Sequence, residues 1–230
     1  MSFTYNKIQK SEQTIGIIAG TQTDTRFGLE YLESRGYKGI GFSVSSNPQA
    51  QTQLQVLDSE ALTKLTINSL KEIAQAGADC AMIYCNSLSG AINLEQVRDK
   101  SPIPFVTPLE VYEKLTTRYR NFGLLAANCQ SYANIERIIL KCNSTAKVIG
   151  IGNLQIVEDI EADIGADRII HLHALPELAN ALVKSGVQIL ILGCTHFDYF
   201  YHELQSQVEG IKVFLPSEQM FETLKNIHFK

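Results

Sequence analysis

Apolar residues in this chain fall into short unbroken runs set between longer stretches with three-to-four-residue spacing, the alternation expected of strands and helices in βαβ units. The first run, Thr14-Ile15-Gly16-Ile17-Ile18-Ala19-Gly20, follows a polar lead-in over residues 1–13. It ends in the polar turn Thr21-Gln22-Thr23-Asp24, where Thr23 or Asp24 can cap a helix. Phe27, Tyr31 and Leu32 keep helical spacing up to Gly36, and Ile40 to Val44 reads as a second strand running into a polar loop at Ser46-Asn47-Pro48. From Asp58 a helix carries Leu62, Leu65, Leu70 and Ile73 on one face. It stops at Gly77 and feeds a strand that ends Tyr84-Cys85-Asn86-Ser87. Ile103 to Val106 is a brief strand, and Thr107-Pro108-Leu109-Glu110 has the form of a capping box opening a helix to about Thr117.

The pattern then restarts. Phe122-Gly123-Leu124-Leu125-Ala126 repeats Ile15-Gly16-Ile17-Ile18-Ala19 at an offset of 107, Gly186 repeats Gly77 at 109, and Pro216 repeats Pro108 at 108. Asn134 to Lys141 reads as a helix, Val148 to Ile151 as a strand, and Leu175, Leu178, Ala179 and Leu182 as the helix before the run Val187 to His196. Val213 to Leu215 and Ser217 to Ile227 close the second half as strand and helix, while residues 152–173 carry no clear period. Duplication of a βαβ half predicts an α/β protein of two similar lobes. Each lobe is a mostly parallel sheet flanked by helices, the two related by a pseudo-two-fold axis with the site in the cleft between them. The expected division is 14–117 plus 211–230 for the first lobe, the C-terminal helix packing back on it, and 118–210 for the second. No stretch resembles a flexible linker, so one compact unit is expected.

Composition narrows the partners. With 230 residues, 45% hydrophobic content and a net charge of −4, the chain carries no basic patch for nucleic acid or an anionic membrane. It also has no apolar run long enough to span a bilayer and no signal-like leader, so a cytoplasmic protein acting on a small molecule is expected. Gly20 stands without the Gly-x-Gly-x-x-Gly of a dinucleotide site. Five cysteines without a Cys-x-x-Cys pair argue for reduced thiols and against structural zinc. Cys80 and Cys142 read as core packing, and Cys129, facing Gln22 in the repeat, as incidental.

Cys85 and Cys194 stand apart from these. Each follows its glycine by eight residues, at the carboxyl end of a predicted strand, where residues of open α/β sheets line the ligand crevice. Two thiols on opposite walls suit removal of a proton from one face of a carbon and delivery to the other, provided one starts as thiolate and the other as thiol. A strand-to-helix turn favours the thiolate, and coupling between close sulfurs keeps the pair singly charged. Asn86 and Ser87 on one side and Thr195 on the other can hold a substrate. Thr21 and Asn128, equivalent at the 107-residue offset, and Asn47 in its polar loop could close the same pocket. His196 can bond or exchange protons with a nearby thiol.

Cys85-Asn86-Ser87 and Leu192-Gly193-Cys194-Thr195-His196-Phe197, on a duplicated α/β chain, resemble the aspartate/glutamate racemase family over nearly the whole length. The resemblance implies a cofactor-independent enzyme, needing no metal, in which one cysteine deprotonates an amino acid's α-carbon and the other reprotonates it, and it implies a homodimer. It also implies that Asn86, Ser87, Thr195 and His196 serve that chemistry. Some positions depart from the family. Ala19-Gly20-Thr21 stands where glutamate racemases carry Asp-Ser-Gly, the Gly-Gly-Met-Gly-Pro of aspartate racemases is missing, and Ala127-Asn128-Cys129-Gln130 stands where threonines are usual. The substrate expected is aspartate, glutamate or a related acid. The alternatives are another isomerase of the superfamily, hydantoin racemase-like or maleate isomerase-like, and a non-catalytic small-molecule-binding protein.

Overall fold

A computed structural model describes residues 13–57 and 59–228. The polar lead-in before Gln13 and the helix start expected at Asp58 lie outside the described residues. The first half runs β1 (Thr14–Ala19), α1 (Gln22–Ser34), β2 (Lys38–Ser43), α2 (Pro48–Leu57), α3 (Ser59–Gln75), β3 (Cys80–Tyr84), α4 (Asn86–Ala91), α5 (Leu94–Lys100), β4 (Phe105–Val106) and α6 (Pro108–Leu115). The second half runs β5 (Asn121–Ala126), α7 (Cys129–Cys142), β6 (Lys147–Gly152), α8 (Leu154–Glu161), α9 (Ala166–Leu172), α10 (Leu175–Lys184) and β7 (Ile189–Gly193). It continues through a 3-10 helix (Thr195–Phe200), α11 (Tyr201–Gln207), β8 (Lys212–Phe214) and α12 (Pro216–His228).

These strands form two four-stranded parallel sheets of the same order, β2-β1-β3-β4 and β6-β5-β7-β8. The paired strands β1/β3 and β5/β7 are covered on both faces and read as continuous apolar runs, whereas β6, at a sheet edge, alternates exposed and half-buried positions. Burial of each large aliphatic side chain in these centres is worth about 1.5–3 kcal/mol. Gly77 and Gly186 adopt φ of +99° and +80°, so each ends its helix in the left-handed conformation that favours glycine and points β3 or β7 back into its sheet. That shared corner sets where the two cysteines fall.

The boundary drawn at 211 needs correction, because β8 pairs with β7 in the second sheet. α12 crosses back, burying Met220, Phe221 and Leu224 among Ile15, Ile17, Cys80 and Met82 of the first lobe. The Ser46-Asn47-Pro48 loop is short, since α2 starts at Pro48 and extends over a Gln-rich segment whose polar composition hides its helix. The unperiodic 152–173 stretch holds α8 and α9. Cys142, expected in the core, is exposed at the solvent side of the last turn of α7. Among the described residues no helix is long and apolar enough to cross a membrane.

Candidate active site

The carboxyl ends of β1, β3, β5 and β7 face one cleft between the lobes, and both thiols line it. Cys85 leaves β3 as the N-cap of α4. Its Sγ accepts from Leu88 N at 3.4 Å, lies 3.3 Å from Ser87 Oγ and accepts from Gln51 Nε2 of α2 at 3.0 Å. Cys194 leaves β7 as the N-cap of the 3-10 helix, its Sγ 3.7 Å from His196 Nδ1. Both sulfurs are buried. The residual cavity is about 10 Å³, room for about one water.

His196 is the charged centre of the second wall. Its Nε2 lies 2.9 Å from Glu161 Oε1 and 3.3 Å from Thr21 Oγ1, and its Nδ1 is 3.7 Å from Asp24 Oδ1 as well as from the Cys194 sulfur. Phe27 stands edge-on to the ring at 6.3 Å between centroids. Burial opposes a charge on this ring. The Asp24 carboxylate, with Cys194 and Glu161, overrides burial and raises its pKa well above the usual histidine range, so it is held as imidazolium. Burial also raises the Cys194 thiol, the adjacent imidazolium opposing it only in part. Burial and then the charge of Asp24 drive the Cys85 thiol up to about 12, against the hydrogen bonds from Ser87 and Leu88. Although partial burial raises the Glu161 carboxyl, donors from His196, Thr21 and Thr23 bring it down to about 2. Asp24, fully enclosed, is raised by burial while His196 and Thr195 hold it back.

The expected site residues divide by position. Cys85, Asn86, Ser87, Asn128, Cys194, Thr195 and His196 line the cleft. Tyr112 OH donates to Asn86 Oδ1, which leaves Asn86 Nδ2 buried without a partner among the described residues, as is Ser131 Oγ across the cleft. Buried groups left unpaired in a native fold call for a partner. Thr195 Oγ1 donates to Asp24 Oδ2 at 3.1 Å. Thr21 and Asn128 are the N-caps of α1 and α7, accepting from Asp24 N and Ser131 N. Asn128 lines the cleft, while Thr21 stands behind it, donating to Glu161 at 2.5 Å. Asn47 is brought no nearer: it is exposed, its Oδ1 spent capping α2 at Ala50 N, so it does not line the cleft.

Residues 30–219 match the family model of Asp/Glu/hydantoin racemases. The chain belongs to that family. It is 30% identical over 160 residues to the glutamate racemase of Shewanella loihica, a match covering 67% of this chain and 59% of that protein. To the glutamate racemase of Haemophilus influenzae it is 26% identical over 151 residues, 64% of this chain and 56% of the other. The chain therefore matches less than two thirds of the length of these relatives. Among solved structures, the glutamate racemase of Francisella tularensis in complex with D-glutamate superposes with a TM-score of 0.67 at 20% identity, over 95% of this chain and 81% of that one. An aspartate racemase homologue from Pyrococcus horikoshii gives 0.65 at 18% identity, over 96% and 100%. These likenesses are ones of fold, and the two-lobed parallel architecture is the family's.

Four residues at or beside this family cleft escaped the sequence reading: Asp24, Gln51, Ser131 and Glu161. Asp24 was legible only as a helix cap, Gln51 sits in the overlooked α2, and Glu161 falls in the stretch without a clear period. Among the described residues no group of three or more His, Cys, Asp or Glu side chains is placed to hold a metal ion.

Proposed function

We propose that this chain is a cofactor-independent amino-acid racemase working by two thiols. The observation that carries this reading is the unequal pair itself: Cys194 beside a buried imidazolium and Cys85 among neutral donors, on opposite walls of one cleft. The reaction starts from the form with Cys194 as thiolate, which the adjacent His196 imidazolium favours against burial. That thiolate takes the α-proton, forming its S–H bond as the C–H bond breaks, and leaves the electron pair on the α-carbon. Cys85 then gives its own proton to the opposite face and is left as thiolate, so the proton count is unchanged. The reverse direction uses the thiols in exchanged roles. Asn86 Nδ2 and Ser131 Oγ are the donors for a substrate carboxylate, and Asp24 and Glu161 act through His196 as positioning residues.

The test is α-proton exchange followed by NMR in deuterated buffer with a panel of L- and D-amino acids. Wild type should exchange and invert an acidic amino acid, with inversion falling by on the order of 10²–10⁴ in Cys85→Ser and in Cys194→Ser. Absence of exchange with every amino acid would sink the reading. One observation favours a second reading. Among the described residues no lysine or arginine lines the cleft, while the carboxamides of Gln51, Asn86 and Asn128 and the apolar Leu154 and Val157 do, which suits a neutral cyclic substrate of the hydantoin type. Exchange at C5 of substituted hydantoins, without exchange of amino acids, would select it.

A further inference from the structure

Helix α2 brings a carboxamide onto the Cys85 sulfur. Gln51 Nε2 donates to Cys85 Sγ at 3.0 Å and to Ser87 Oγ at 2.8 Å. The carboxamide lies flat over the end of β1, where a Cβ added at Gly20 would come within 2.2–2.4 Å of Nε2, Oε1 and Cδ. Only glycine at position 20 leaves it room. The same helix is tied to the opposite lobe, Gln49 Nε2 donating to Glu158 Oε1 at 2.5 Å and Thr52 Oγ1 accepting from Asn128 Nδ2 at 3.4 Å. A carboxamide set on the first lobe's thiol, over a glycine that makes space for it and on a helix whose neighbouring residues are tied to the second lobe, is placed for more than filling volume.

The electrostatics say what for. Cys194 has an imidazolium at 3.7 Å, whereas Cys85 has no cation at hand among the described residues and feels the negative charge of Asp24. Negative charge on Cys85 must therefore be carried by neutral donors, and a donor to a charged acceptor contributes about twice what it gives a neutral one. The Leu88 N–H is long at 3.4 Å, and the Ser87 hydroxyl at 3.3 Å is itself oriented by Gln51. The Gln51 N–H, at 3.0 Å, is the shortest of the three. We propose that Gln51 is the donor that lets Cys85 hold a negative charge, delivered to the sulfur by the seating of α2 across the cleft. This assigns Gln51 to one thiol only. It rests on the reading of Cys85 as a proton carrier, but the test below reads the thiol itself.

The measurement is the rate of alkylation of Cys85 by iodoacetamide at pH 9, followed by peptide mass spectrometry and expressed against Cys194 in the same molecule. Gln51→Met, similar in volume and without a donor, should lower the Cys85-to-Cys194 ratio by about tenfold. Gln51→Glu should lower it further, since a carboxylate against the sulfur adds repulsion. Gly20→Ala, which displaces the carboxamide while leaving α2 unchanged in sequence, should reproduce the Gln51→Met result and guards against a folding defect in that variant. A ratio that stays constant or rises in Gln51→Met and Gly20→Ala would overturn the proposal, because the carboxamide would then merely shield the sulfur. Equal slowing of both thiols would overturn it too, as a structural effect. A fall in the ratio in a protein that exchanges no α-proton would leave this assignment standing and remove the racemase reading alone.

Discussion

The walls of the cleft are built from the same backbone and charged in different ways. On both, a helix ends at a left-handed glycine, a buried strand follows, and a cysteine caps the next helical turn. On the wall of Cys194 the neighbour two residues on is His196, gripped by Glu161 of α8 and by Asp24 from the other lobe. On the wall of Cys85 the corresponding neighbour is Ser87, and the additional donor arrives from α2. Duplication places a thiol on each of two facing walls. The unequal neighbours supply what symmetry forbids, two thiols in different electrostatic surroundings.

The strongest way to break this comparison is to remove the imidazolium. His196→Gln should reduce turnover by on the order of 10²–10⁴, with Cys194 alkylation at pH 8 slowing and Cys85 alkylation holding its rate; equal slowing of both thiols would abolish the distinction between the walls. Asp24→Asn comes next and should separate the thiols by sign. The carboxylate raises both thiols directly, but at Cys194 the pull of the His196 charge that it sustains is the larger effect, so its loss should slow alkylation of Cys194 and speed that of Cys85, with turnover down about tenfold. Movement of both thiols in one direction would contradict the placement of Asp24 between them.

The smallest expected effect concerns Glu161. Its folded-state carboxyl sits near 2 against an ordinary 4.5. The stability it contributes is therefore present above about pH 4.5 and lost as pH falls towards 2. Glu161→Gln should cost only a few-fold in activity and should flatten that acid-side loss, read from urea midpoints at pH 6 and pH 3. An unchanged slope would mean that Glu161 is not held as this geometry requires.

The duplication was legible because glycine corners and apolar runs are local signals, and three offsets of 107 to 109 aligned them. Both cysteines, His196 and their chain neighbours followed from that register. What the sequence could not convey is the traffic between lobes. Asp24 meets Thr195 at a separation of 171 residues, and Thr21 meets Glu161 at 140. A lone acid on a helix reads as a solvated face until its partner is known. Gln51 was hidden twice, by a helix whose glutamines mask its period and by a target 34 residues away. Asn47 misled for the opposite reason: a polar loop residue before a proline was preparing a helix cap, a local duty that left nothing for the cleft.

The return of α12 to the first lobe has a consequence for the order in which the molecule can be made. Chains emerge from the ribosome N-terminus first, and domains generally fold as they appear. Here the apolar face formed by Ile15, Ile17, Cys80 and Met82 belongs to the half synthesised first, yet its cover of Met220, Phe221 and Leu224 comes after the whole second sheet. The older half must wait, with a patch of its core uncovered, until the younger half has been translated. Native assembly is thus completed by a final clasp rather than lobe by lobe, and the nascent first half is a natural client for whatever shields hydrophobic surface during synthesis.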